Sequence, residues 1–342
     1  VTLTEDLDLG GKTLEIKGDM SLNLNGKTVT GVMTVEDGAD VTIENGTIKN
    51  EDKAVSGITT NGNLTLNDVE IESARHAVRV ESGKVVINGG TYTVAPVSNS
   101  TLHALNVGDD NTEAEVIIKG GTFIGPKGTM ADSGSAVNVR TGSKVVIEGG
   151  DFSKGKNKTL ANAGTLNVQG GTFDQDPSKY VVAGYKSILD GDKYIVKSDV
   201  YVTTAEEFAA ALQSDATEIN VVLYNDINVA ISSLGQQTGG SGEYKLGGEN
   251  TQKINIDLNE KRLNITTTYW SGIGAKNDNS LFTIKNGTMT SSQASGTWNS
   301  YDLTFANCNY DIQDVEFEKA IAFTNAGKTA SLQNVTINET HD

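Results

Sequence analysis

Hydrophobic and polar residues alternate along most of the chain, and the alternation is organised in rows. The segments VTIENGTIKN (41–50), LTLNDVEIES (64–73), VVINGGTYTV (85–94), VIIKGGTFIG (116–125), VVIEGGDFSK (145–154), LNVQGGTFDQ (166–175), FTIKNGTMTS (282–291), YDIQDVEFEK (310–319) and ASLQNVTINE (330–339) align without gaps. One column of the alignment reads Ile43, Leu66, Ile87, Ile118, Ile147, Val168, Ile284, Ile312 and Leu332, and a second reads Ile48, Ile71, Tyr92, Phe123, Phe152, Phe173, Met289, Phe317 and Ile337. A period of two with apolar residues at fixed places predicts strands whose alternate side chains enter a core. Between the columns stand only Asn45, Asp68, Gly89, Gly120, Gly149, Gly170, Asn286, Asp314 and Asn334, the three residue types that tolerate a left-handed backbone. The next position holds only glycine or valine. Each row is therefore expected as a strand, a tight bend with positive φ at the first bend residue (Gly120 and Gly149 included), and a second strand on another face.

Successive anchors in the first column are 23, 21, 31, 29 and 21 residues apart in the first six rows, and 28 and 20 apart in the last three. A floor near 20 with longer outward insertions suits a solenoid, whose loops lengthen without disturbing the stacked strands. Helical repeats fit badly, because Val, Ile, Thr and Phe hold the strand positions and no helical period is present. Short third strands recur at Gly57-Ile58, Ala77-Val78, Ala104-Leu105, Ala136-Val137 and Ala320-Ile321, so the chain is expected to be all-β, a three-sided parallel β-helix. A weaker duplication sets VTLTEDLDL (1–9) with LNLNGKTVTG (22–31) against VVLYNDINV (221–229) with IDLNEKRLNI (256–265), and divides the chain into tandem units at 1–198 and 199–342. Thr204 and Glu207 are spaced as a capping box, and Phe208, Ala211 and Leu212 share one face, which predicts one short helix over 203–214 capping the second unit. Pro177, Gly184 and a hairpin at Asp190-Gly191-Asp192 interrupt the repeat over 176–198 and read as the exit cap of the first unit. No capping sequence separates the last row from Asp342, so the second unit is expected to be truncated there, its open edge covered by further rows of the same chain or by another subunit.

Charge narrows the partners. Subtracting 44 acidic from 27 basic side chains leaves −17, a field that repels phosphate backbones and argues against nucleic acid. No stretch approaches the roughly 20 consecutive apolar residues of a spanning helix, so no membrane insertion is expected. The single cysteine, Cys308, leaves no internal disulfide framework and no Cys-cluster zinc site.

The stacked GGTF rows, the opening TLTEDLDLGGKTLEIKGDMSLNLNGKTV and the exit GGTFDQDPSKYVVAGY resemble the pectate-lyase-like right-handed β-helix modules of large bacterial surface proteins, and modules of virion fibre proteins from phages of gut bacteria. The likeness covers nearly the whole chain and lies in bend and core positions. It implies a right-handed winding and an extracellular place, on a bacterial surface or a virion, often within a longer chain. It also implies an enzymatic alternative, since the polysaccharide lyases of this fold carry acidic calcium ligands and an arginine or lysine base on one strand face. That set matches no positions of this sequence.

Several residues remain candidates for chemistry. Glycoside hydrolysis needs two carboxyls roughly 5 to 10 Å apart, and side chains on adjacent rows stack about 4.8 Å apart. Glu70 near Asp68 and Glu316 near Asp314 satisfy that distance, although a solvated turn accounts for them equally. His76 and Arg79, beside Arg75 and one row before His103, form the one clustering of histidine with arginine; the same pre-strand place is taken by Ser135 in the next row. Asp109 and Asp110 in one acidic loop, and Asp278 in another, are the candidates for a calcium ion, without the alternating spacing of a calcium loop. No other cofactor is expected. Tyr269 and Trp270, with Trp298 and Tyr301, place both tryptophans within 29 positions in polar surroundings, a ring platform for a sugar face or a protein hot spot. Since no row of converging acids and bases occupies one face of three adjacent rows, the sequence reads as a non-enzymatic structural or adhesive module presenting loops to a glycan or host-surface protein. A polysaccharide lyase or glycoside hydrolase of the same fold is the alternative.

Overall fold

The apolar columns dictate the pairing. A computed structural model of the chain describes residues 1–95, 102–109, 112–126, 134–155, 158–238, 242–267, 272–293, 303–324 and 327–338. Nearly all of its regular structure is strand, and most strands pair in parallel with the next row. The chain falls into two compact units, Val1–Ser198 and Asp199–Asp342.

In the first unit three lines of parallel strands run side by side. The first line holds Leu22, Ile43, Leu66, Ile87, Ile118, Ile147 and Val168 in register. The second holds Val29, Ile48, Ile71, Tyr92, Phe123, Phe152 and Phe173. The third holds Met33, Ile58, Val78, Leu105, Val137 and Leu160. These side chains meet in a single apolar core, with only Leu160 partly exposed. The four rings of the second line stack with centroids 4.7, 5.1 and 4.8 Å apart, and such pairs add about 0.5–1.5 kcal/mol each beyond the area they bury. The Tyr92 hydroxyl donates to Gly89 O at 2.7 Å, so the stack holds no unsatisfied polar atom. Strands Tyr185–Asp190 and Lys193–Ser198 form an antiparallel hairpin around Gly191, and Lys193–Ser198 also pairs antiparallel with Thr172–Phe173 at the end of the second line.

The second unit repeats the arrangement. Its first line carries Val221, Ile256, Ile284, Ile312 and Leu332, its second Ile227, Leu263, Met289, Phe317 and Ile337, and its third Tyr244, Ile273, Phe305 and Phe323. Leu332 and Ile337 are 48% and 40% exposed, whereas the other members of the two aligned columns are buried. Helix α1 (Ala205–Leu212) is shorter than the expected 203–214, because Thr204 is its N-cap, accepting from Glu207 N at 3.2 Å. The Glu207 carboxylate reaches back to Thr203 N (2.6 Å), one residue before the partner in a standard capping box. Ala209 is buried beside Phe208 and Leu212, while the expected Ala211 is only partly covered. A second helix, α2 (Ile231–Leu234), is not legible in the periodicity because it spans one turn.

The weak duplication has a bond-for-bond counterpart. Asp6 accepts from Thr28 N and Asp226 from Arg262 N, each at 2.9 Å. Asn25 donates its amide to Leu3 O and Asn259 to Leu223 O.

Bend chemistry departs from the expectation. Where a bend reads Asn or Asp followed by Gly or Val, the first residue is left-handed, with φ of 57, 49, 60, 54 and 52° at Asn45, Asp68, Asn286, Asp314 and Asn334. In the Gly-Gly bends the left-handed residue is the second one, with φ of 99, 104, 109 and 102° at Gly90, Gly121, Gly150 and Gly171; Gly120 and Gly149 do not have positive φ. A φ near +100° is open only to glycine, which is why no Asn or Asp stands in for it. The first glycine answers a different demand. A Cβ at Gly120, Gly149 or Gly170 would lie 2.8, 2.5 or 2.0 Å from the carbonyl oxygen of Asn88, Lys119 or Glu148 in the row before.

Candidate functional site

Rows of this kind leave three places for chemistry: the bends, the corner before the third strand, and the outward face of the third strand. At the bends, Glu70 is exposed and its neighbours in register are Thr47 and Thr91. Glu316 is likewise exposed between Thr288 and Thr336, beside an open groove of about 450 Å³ that Glu260 and Asp314 also line. Asn338 donates to Glu316 and Asn334 to Asp314, so the second pair is engaged in row-to-row amide bonds.

The corner of the first unit holds the histidines. His76 and His103 are buried, and their rings stack 5.5 Å apart at 2°. His76 Nδ1 accepts the backbone N–H of His103 at 3.0 Å, and His103 Nδ1 accepts that of Ser135 at 3.1 Å. Both rings are therefore neutral, with the proton on Nε2. Burial pushes His76 down to about 4, with help from Arg75, Arg79 and Arg140 and against the His103 carbonyl oxygen 3.3 Å from Nδ1. Burial also pushes His103 down to about 3, with further contributions from His76 and Arg140. An imidazole whose lone pair is committed to a backbone N–H has none for a substrate proton or a metal. Arg79 points outward and pairs with Glu81 at 3.0 Å.

Of the acidic-loop candidates, Asp109 accepts from Thr112 N at 2.9 Å, which closes its own loop, and Asp110 lies outside the described residues. Asp278 pairs with Lys245 at 2.8 Å. Among the described residues no three His, Cys, Asp or Glu side chains converge as metal ligands. Tyr269, Trp270, Trp298 and Tyr301 all lie outside the described residues.

The third-strand face of the second unit supplies a group that the sequence reading missed. Strand Glu243–Leu246 turns Tyr244 and Leu246 into the core, so Glu243 and Lys245 face outward. Both are nonetheless covered, with side chains 11% and 17% exposed. Glu243 Oε2 accepts from Asn307 Nδ2 at 2.9 Å, while Oε1 is buried with no hydrogen-bond donor. Lys245 Nζ stands 3.7 Å from Oε1. Burial alone would lower the Lys245 ammonium, but the bond to Asp278 and the neighbouring carboxylate charges hold it above its ordinary value. Alternation in GEYKLGG marks these two residues as solvent-facing, and nothing in the local pattern signals their burial. The chain matches no protein-family model, no curated protein and no solved structure. Its chemistry has to be read from these side chains alone.

Proposed function

We propose that the chain is a right-handed parallel β-helix in two tandem units, acting as a non-enzymatic spacer or adhesive module of an extracellular bacterial surface protein or a virion fibre, with loops that contact a glycan or a host-surface protein. The observation that carries this reading is the engagement of the acid–base candidates in the repeat itself. His76 and His103 bond the next row's backbone, Arg79 is neutralised by Glu81, and Glu316 is tied to Asn338. The parallel register of three strand lines over successive rows supports the β-helix, since loops can leave between strands without disturbing it. Departures from the repeat fall in insertions such as 96–104, 125–135 and 290–303, as suits a scaffold that displays contact loops.

The test is incubation with a panel of neutral and acidic polysaccharides, followed by reducing-end and unsaturated-uronate assays. No release is expected. Depolymerisation that disappears on replacing Glu70, His76, Arg79 or Glu316 would overturn the reading in favour of a lyase or hydrolase.

A further inference from the structure

The two units open on the same row but cover it differently. Val1, Leu3, Leu7 and Leu9 correspond to Val221, Leu223, Ile227 and Val229, because Leu7 pairs with Val29 as Ile227 pairs with Leu263, and the bonds of Asp6 and Asn25 recur at Asp226 and Asn259. In the second unit these four side chains are at most 3% exposed. In the first, Val1 is 74% and Leu7 36% exposed, and Leu3 and Leu9 are only partly buried. Helix α1 makes the difference. Its buried Phe208, Ala209 and Leu212 share one apolar core with Val221, Leu223, Ile227 and Val229, and the helix packs on both strands that carry them, Glu218–Leu223 and Ile227–Ala230. Strand Tyr201–Val202, just ahead of α1, pairs with Val222–Leu223. Among the described residues the first unit has no α-helix, and its entry is an open groove of about 460 Å³ whose lining includes Leu3, Leu7, Leu14, Ile16 and Met20.

We propose that this groove is a docking surface for a short amphipathic helix of α1's chemistry, with an aromatic ring and small aliphatic side chains on one face, carried by a polypeptide segment outside residues 1–342. The second unit shows what such a row accepts: a helix laid over its apolar side chains, the helix-in-groove mode in which a few anchors on one face supply the contact. A second copy of the chain fits the groove less well. Its α1 is already buried in its own unit, and two chains of net charge −17 repel one another. The inference goes beyond the contact role of the loops and does not depend on it.

The experiment joins a copy of residues 201–220 directly ahead of Val1 of the full chain, so that the added helix precedes Val1 by the same number of residues as α1 precedes Val221. Hydrogen exchange read by mass spectrometry is expected to slow about tenfold or more over Val1–Leu9, because a helix that binds only the folded row suppresses its opening. The same extension carrying Phe208→Asp and Leu212→Asp should leave exchange as in the parent. Leu7→Asp in the receiving row should remove the protection; thermal melts of that variant without the extension should show that it still folds, since the Leu7 side chain is exposed. Without the extension the chain is expected to be monomeric in light scattering. The inference is overturned if the extension leaves exchange unchanged, if the aspartate extension protects equally, or if protection survives Leu7→Asp. It is also overturned if the unextended chain forms a dimer that Leu7→Asp abolishes, which would give the groove to a second copy.

Discussion

Asn25-Gly26 and Asn259-Glu260 occupy matching turns, and all four residues are left-handed, with φ of 52, 73, 49 and 61°. Gly26 donates to Asn45 O at 2.6 Å and Glu260 to Asn286 O at 2.7 Å, so the same bond forces the same backbone on unlike residues. Left-handed geometry costs an ordinary L-residue roughly 1–2 kcal/mol, part of which glycine returns through its freer unfolded chain. Glu260→Gly is therefore expected to stabilise the second unit by about 0.5–1 kcal/mol, read from the urea midpoint. The bends give the converse case. At Gly150, φ is 109° and a Cβ would lie 2.8 Å from Gly121 O. Gly150→Ala should cost about 1–3 kcal/mol, and Gly150→Asn should be no milder. Equal tolerance of both would contradict the second-glycine assignment. The sequence made these places visible as bends but not which residue of each pair turns left-handed, because Gly-Gly reads the same in either arrangement.

At the scale of elements, the histidine corner makes the third strand line of the first unit sensitive to acid. Folded His76 and His103 hold values of about 4 and about 3, against an ordinary 6.5. The unfolded chain therefore binds more protons between these limits, and stability is complete above pH 6.5 and falls as pH drops toward 4. Holding His76 at about 4 instead of 6.5 makes its protonation cost the folded state on the order of a few kcal/mol. Protonation also puts a proton on Nδ1 facing a backbone N–H, breaking the tie between adjacent rows. Urea melts at pH 7.5 and 4.5 should show the loss, and His76→Asn with His103→Asn should flatten it. A parent protein equally stable at both pH values would contradict the buried neutral pair. The strands themselves were legible because eight of nine rows bury the same two columns. The Glu243 corner was not legible, because an outward charge on an alternating strand carries no mark of what covers it.

For the whole molecule, each unit has its own apolar core, so calorimetry is expected to resolve two transitions instead of one. Acidification to pH 4.5 should lower only the transition that a fragment of residues 1–198 reproduces, since His76 and His103 both belong to that unit. A single two-state transition, or equal acid shifts in both, would refute this. The Gly-Gly rows 85–94, 116–125, 145–154 and 166–175 follow one another directly, and each meets the next with the same three contacts: aliphatic on aliphatic, ring on ring, glycine beneath carbonyl. Such a block carries its own rule for inheritance. An unequal crossover between two of its rows that adds or removes a whole one keeps these three contacts of the same kind, so length in this part of the gene can drift without a new packing of the apolar columns.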